Sequence, residues 1–212
     1  MSIETGAAAP GKPGDQIIIG LTGNIATGKS AVMRLAAERG ALTLDADKAV
    51  HELLATDSAV QEAIAAAFGE KVRLEDGRID RAALGGIVFA DPVALALLES
   101  IVHPAVRALL ARRVAESMSP VIIIEAIKLL EGPLRDLCRQ IWVTDCTYEQ
   151  QLARLQVCRG LDEDTAVARI TAQSPAALKI AQADIVIDTN GLMSDTVRQF
   201  NAAWTAVTEK RA

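Results

Sequence analysis

The 212-residue sequence predicts an α/β fold in which a five-stranded parallel sheet is wrapped by helices and interrupted by a helical insertion. Three observations predict it. Five short aliphatic runs end in polar residues or glycine, segments with helical spacing alternate with them, and a glycine-rich loop joins the first run to the first helical segment.

The runs are Gln16–Leu21, Ala41–Asp45, Pro120–Ile124, Gln140–Thr144 and Asp184–Ile187. Their aliphatic and β-branched content suits strands covered on both faces, joined by right-handed crossovers. Helical spacing predicts helices over Lys29–Arg39, Ala46–Ala55, Ser58–Phe68, Pro92–Ile101, Pro104–Glu116, Thr147–Val157, Asp162–Gln173 and Leu192–Val207. Proline is tolerated at a first helical position and not in an interior, so Pro104 marks a restart. Ala46 to Ser119 holds no convincing strand. The organisation expected is therefore a core over 15–45 and 120–207, a helical insertion over 46–119, a mobile lid over about 158–179, and flexible tails at 1–14 and 208–212.

Composition narrows the function classes. Half the residues are hydrophobic and only 3% aromatic, which predicts a core of Ala, Val, Ile and Leu. A net charge of −5 argues against a nucleic-acid surface built on bulk positive charge. Cys138, Cys146 and Cys158 lack metal-like pairing and read as reduced, buried thiols. Unbroken apolar stretches are too short to span a bilayer, and the first fourteen residues lack the order of a signal peptide. The expectation is a cytoplasmic protein without membrane partners.

The strongest motif is Gly23-Asn24-Ile25-Ala26-Thr27-Gly28-Lys29-Ser30, which fits G-x-x-x-x-G-K-[ST] in full. Glycine permits backbone shapes closed to other residues. The loop's N–H groups and the following helix N-terminus then face phosphate oxygens, Lys29 reaches the β/γ-phosphates and the Ser30 hydroxyl binds Mg²⁺. ATP and Mg²⁺ are the cofactors this predicts. No Asn-Lys-x-Asp segment is present, which counts against a GTPase. The second strand ends in Asp45-Ala46-Asp47, two carboxylates at the sheet edge where such folds bind ligands, one of them placed to cap the next helix. Glu125 ends the third strand and reads either as a Mg²⁺-organising acid or as a helix cap.

These segments, in their order and spacing, resemble dephospho-CoA kinases. Gly20-Leu21-Thr22 with the glycine-rich loop resembles that family's opening, and Asp45-Ala46-Asp47 follows as it does there. Ile79-Asp80-Arg81, Leu84, Val88-Phe89, Asp91, Leu98-Glu99, Ile101 and His103-Pro104 resemble its helical substrate region. Glu125 with Leu129-Leu130-Glu131 stands at its acidic strand end. Arg159, Arg169-Ile170, Gln173, Lys179, Ala183-Asp184, Ile187 and Asn190-Gly191 resemble its C-terminal third.

The resemblance covers about Ile17 to Gly191. It implies a sheet of the P-loop, nucleoside-monophosphate-kinase-like type, a helical substrate-binding region in the insertion over 46–119, and transfer of the ATP γ-phosphoryl group to the ribose 3′-hydroxyl of dephospho-CoA, the last step of coenzyme A biosynthesis. It further implies Lys29, Asp47 and Arg159 as catalytic residues, and residues Gly23 to Ser30 with Arg159, Arg169 and Asn190 on ATP. Asp45, Asp47, His103, Arg107 and Glu125 fall to the acceptor. His103 and Arg107, four apart, share one helix face. A monomer or weak homo-oligomer is expected.

The chain departs from the family pattern in places. Asn24, Ala26 and Thr27 stand where mainly Gly and Ser are expected, Ala31 follows Ser30 in place of Thr, Glu125 replaces the commoner Asp, and Lys128 occupies an expected proline. Arg154 and Arg159 are five apart, one more than the family spacing, which favours Arg159 as the lid arginine. The alternatives are another P-loop small-molecule kinase, of nucleoside, nucleotide or shikimate type, or a non-enzymatic nucleotide-sensing module.

Overall fold

A computed structural model describes residues 16–209. The expected tail at 1–14 lies outside the described residues. The C-terminal tail expected from 208 is corrected at its first two residues, because Thr208 and Glu209 complete the last helix, and its remainder lies outside the described residues. Val207, buried on that helix, keeps its last turn packed.

The chain divides into two compact units, one of residues 1–44 and 117–212 and the other of residues 45–116. The first holds the sheet. Its strands are β1 (Ile17–Thr22), β2 (Leu42–Asp45, whose last residue opens the second unit), β3 (Val121–Glu125), β4 (Gln140–Asp145) and β5 (Ile185–Asp188). They form a five-stranded parallel sheet in the order β2-β3-β1-β4-β5. β1 lies centrally, with Ile17 opposite Val121 and Leu21 opposite Glu125 on one side, and Thr22 opposite Val143 on the other. This register brings the carboxyl ends of β1, β3 and β4 to one edge, where a ligand can approach without cutting through a strand.

Burial explains why these segments are strands. Ile19, Leu21, Ile122, Ile123, Ile124 and Ile141 are fully buried, as expected for strands with both faces covered. Helices α1 (Lys29–Glu38) and α9 (Met193–Glu209) supply Val32, Ala36, Phe200, Ala203 and Val207 to one face. The core is aliphatic with one aromatic centre, where Trp142 meets Phe200 edge-on at 6.0 Å between ring centroids. β5, last in the sheet, is the exception, and its Val186 is 41% exposed. Cys138 and Cys146 are buried as expected, but Cys158 is exposed, because it falls on the solvent side of α6 (Tyr148–Arg159). The segment after α6 forms α7 (Glu163–Thr171) and the short α8 (Ala176–Ile180).

The second unit is helical: α2 (Ala46–Thr56), α3 (Ser58–Phe68), α4 (Arg81–Val88) and α5 (Pro92–Glu116). α2, α3 and α4 all contact α5. Two expectations need correction here. Pro104 does not restart a helix, since α5 runs unbroken through it for 25 residues. The missing N–H deprives the Ser100 carbonyl of its partner, and the burial of Val102 before the proline and Val106, Leu109 and Leu110 after it offsets that loss. By length and composition alone this continuous helix is also apolar enough to cross a membrane, which the short apolar runs do not suggest. α4 is a helix that propensity disfavours, because Gly85 and Gly86 each cost about 1 kcal/mol relative to Ala. It forms because Asp80 accepts the Ala82 and Ala83 N–H groups at 2.9 and 3.1 Å and because Leu84 and Val88 are buried.

Candidate active site

β1 delivers the chain into the glycine-rich loop, and packing dictates the glycines. At Gly23, with φ +149°, a Cβ would lie 2.5 Å from the Thr144 carbonyl and hydroxyl oxygens. Gly28 stands at φ +91° immediately before α1, a left-handed geometry that turns the loop into the helix. Ala26 shares that region at φ 60° without being glycine.

Each residue between the glycines is held. Thr27 donates its hydroxyl hydrogen bond to the Asn24 carbonyl or shares it with Thr144, both at 2.8 Å. Thr189 Oγ1 donates to the Thr27 carbonyl at 2.9 Å. Arg154 Nη1 donates to the Ala26 carbonyl at 3.0 Å and to Thr189 Oγ1 at 3.0 Å, while its Nη2 donates to the Thr189 carbonyl. The Ile25 N–H donates to Gln173 Oε1 at 2.6 Å. Asn24 Nδ2 donates to the Ser174 carbonyl at 3.0 Å, and Lys179 Nζ donates to Asn24 Oδ1 at 2.7 Å.

Lys29 is 8% exposed. Its ammonium lies over the loop, donating to the carbonyls of Gly23 at 2.9 Å and Asn24 at 3.1 Å, with Glu125 Oε1 4.0 Å away. No helix follows β3 directly, so of the two readings of Glu125 the helix cap is excluded. Ser30, beside Lys29 in the first turn of α1, is exposed. Asp145 and Asp188 end β4 and β5 directly opposite each other. Burial pushes the Asp145 carboxyl above its ordinary range, the Asp188 charge adds to this, and the Cys146 N–H opposes it.

The remaining expected residues lie as follows. Asn190 Oδ1 accepts the Thr147 N–H at 2.6 Å, at the turn that opens α6. Arg159 is the last residue of α6, followed by Gly160 in the left-handed region, and Arg169 lies in the last turn of α7. Both are exposed. In the second unit Asp45 caps α2, its Oδ1 accepting the Lys48 N–H at 3.0 Å and its Oδ2 lying 3.3 Å from Lys48 Nζ. Asp47 is exposed in the first turn of α2. His103, half-buried, and the exposed Arg107 stand one turn apart on α5. The structure thus brings Gly23 to Ser30 and Glu125 together and gives Asp45 a structural task.

Sequence reasoning gives no role to Arg154, Gln173, Ser174, Lys179, Thr144 or Thr189, the groups that hold the loop. The signal for two of them is the resemblance, which includes Gln173 and Lys179 in its C-terminal third without a role; Arg154 is weighed there only against Arg159.

The arrangement is a loop of backbone donors at a helix N-terminus with a lysine, a hydroxyl and an acid beside it, which is suited to bind a phosphate chain. Comparisons with known proteins agree with this chemistry. The family model for dephospho-CoA kinase matches residues 17–195. A dephospho-CoA kinase from Geobacter sulfurreducens is 41% identical over 190 residues, covering 88% of this chain and 96% of the relative. Among solved structures, TT1252 from Thermus thermophilus superposes with a TM-score of 0.77 at 31% identity, covering 90% of this chain and 97% of its own. Dephospho-CoA kinase from Campylobacter jejuni gives 0.67 at 25% identity, covering 92% and 98%. The chain belongs to the dephospho-CoA kinase family.

Proposed function

We propose that this chain transfers the γ-phosphoryl group of ATP to the 3′-hydroxyl of dephospho-CoA, giving coenzyme A. The observation that carries the reading is the phosphate loop, with Lys29 buried over it and Glu125 Oε1 4.0 Å from the ammonium, in a chain of this family. Phosphoryl transfer asks a protein mainly for positioning and for compensation of charge. The loop amides and the α1 N-terminus bind the phosphate chain, and Lys29 neutralises charge on its β/γ oxygens. Arg159 and Arg169 present forked donors suited to phosphate oxygens, and Asn190 belongs to the nucleotide side.

On the acceptor side, Asp47 accepts the proton of the 3′-hydroxyl or orients it for removal. Asp45 caps α2, and the family resemblance assigns this task to Asp47. His103 and Arg107 bind the acceptor from one face of α5. Glu125 falls to the acceptor by the family resemblance, and its carboxylate balances the Lys29 charge. Mg²⁺ takes few protein ligands and keeps phosphate oxygens and waters, so the exposed Ser30 hydroxyl in the first turn of α1 fits it. When bound, the ion neutralises phosphate charge. The protein acts in the cytoplasm as a monomer or weak homo-oligomer, on a small-molecule acceptor, with neither nucleic acid nor membrane as partner.

The test is ATP consumption by the purified protein with dephospho-CoA, against a panel of nucleosides, nucleotides and shikimate. Turnover with dephospho-CoA and phosphate appearing at the 3′-oxygen is the expected result. Preference for another acceptor, or no acceptor-dependent turnover at all, refutes the reading.

A further inference from the structure

The phosphate-loop motif leaves four positions open, and in this chain they are filled by Asn24, Ile25, Ala26 and Thr27. Asn24 is the hub. Its backbone carbonyl accepts from Lys29 Nζ at 3.1 Å and from Thr27 Oγ1 at 2.8 Å. Its side-chain amide is satisfied on both sides, by Lys179 Nζ and by the Ser174 carbonyl.

Lys179 is itself unusual. It is 4% exposed on the five-residue α8, where the neighbouring Leu178 is 58% exposed. A helix of that length gains little by burying a lysine, and a buried ammonium is costly unless it is hydrogen-bonded. Burial lowers its pKa, with the Glu131 carboxylate opposing. Its bonds run to Asn24 Oδ1 at 2.7 Å and to Ser174 Oγ at 3.5 Å. Gln173, from the same segment, already occupies the Ile25 N–H. Segment 173–179 therefore decides which loop amides remain available to phosphate and where the carbonyl that supports Lys29 sits.

We infer that Lys179 is a positioning residue for phosphoryl transfer, holding Asn24 so that the loop and Lys29 are set for the phosphate chain of the nucleotide. This rests on the reading of the loop as an ATP site. It makes the part of the expected lid beyond Thr171 a fixed brace for the loop.

The test uses the full chain and four variants, Lys179→Met, Lys179→Arg, Asn24→Leu and the double Lys179→Met/Asn24→Leu. ATP affinity is read by calorimetry without acceptor, and KM and kcat are read separately for ATP and dephospho-CoA. A parent that binds ATP but fails to phosphorylate dephospho-CoA refutes the proposed function and leaves this test intact.

Losing one charged hydrogen bond that shapes the site predicts ATP binding about tenfold weaker in Lys179→Met, equal to about 1.4 kcal/mol. The KM for dephospho-CoA should stay within about twofold and Lys179→Arg should recover part of the loss. Asn24→Leu, which also loses the bond to the Ser174 carbonyl, should weaken ATP binding at least as much as Lys179→Met, and the double variant should be no worse than the worse single one, as for two residues sharing one interaction. Unchanged ATP affinity in Lys179→Met, additive losses in the double variant, or equal loss in every parameter in step with a lower folded fraction would overturn the inference. If Lys179→Met does not fold, Asn24→Leu decides alone: weakened ATP binding with an intact fold supports the inference, and unchanged binding overturns it.

Discussion

The phosphate loop and the arginine-bearing stretch from the end of α6 through α7 do comparable electrostatic work in the proposed reaction, yet they are fixed to very different degrees. In the loop, residues 24 to 27 each have partners from outside it, and Lys29 is buried. In α6 and α7 the two candidate arginines are exposed helix-end residues. Cations at helix C-termini already have a modest structural use, through the helix dipole. A preorganised site stabilises charge without reorganising during the reaction, whereas an exposed guanidinium acts only once it is brought to its ligand. The loop should therefore lose most of its activity when its cation is removed, and the arginines should fail by degrees.

The first test of that difference is Lys29→Ala. Loss of a preorganised charge should lower turnover by about 10²-fold or more. The Asn24 carbonyl keeps its bond from Thr27 Oγ1, so the loop retains part of its structure and the circular dichroism spectrum should stay native. Near-normal turnover would remove the phosphate loop from the mechanism.

Asp47→Asn comes next, keeping shape and losing basicity. Turnover should fall by about 10²-fold while ATP affinity changes little, the pattern of a group that acts on the acceptor hydroxyl. A variant that loses ATP binding instead would move Asp47 to the nucleotide side.

The arginines should give a graded result. Arg159→Ala should lower turnover by about tenfold or more, and Arg159→Lys should restore only part of it, because a point charge does not replace a planar fork. Ordinary surface pairing, worth about 0–1 kcal/mol, would leave both variants fully active. Hydrogen exchange sharpens the comparison. Within 158–179, protection gained on binding ATP and acceptor should be confined to residues 158–171, since Gln173, Ser174 and Lys179 are already bonded to the loop. New protection spread evenly over 158–179 would mean that the brace also moves.

The same contrast explains what could be read from the residues alone. Five strands are legible within a residue or so, β1, β3 and β4 because a strand covered on both faces needs a largely aliphatic run, and the loop is legible because Gly23 and Gly28 have geometries that no other residue adopts easily. α4 and the continuity of α5 are not legible. In each, the local penalty of Gly85-Gly86 or Pro104 is overruled by burial that only the folded unit supplies. The brace is hidden for another reason: Lys179 and Asn24 are 155 residues apart in sequence, and no local pattern announces such a bond. Composition also misses the aromatic pair of Trp142 and Phe200, since two rings change a percentage very little.

The smallest effect separates the two acids of Asp45-Ala46-Asp47. Asp45 accepts the Lys48 N–H at 3.0 Å as the cap of α2, and its ion pair with Lys48 involves a lysine side chain that is 83% exposed, so the cap is the main part of its contribution. Asp45→Ala should cost about 1 kcal/mol, the usual value of a lost cap. In a domain of this size that lowers the melting temperature by about 2–4 °C. Asn caps as well as Asp, so Asp45→Asn should melt close to the parent. Turnover should be nearly unchanged in both, in contrast to Asp47→Asn. The decisive observation is therefore Asp45→Asn assayed for stability and turnover together. A native melting temperature with turnover down by about 10²-fold would mean that the roles of the two carboxylates are exchanged, with the cap incidental and Asp45 the acid that handles the hydroxyl proton.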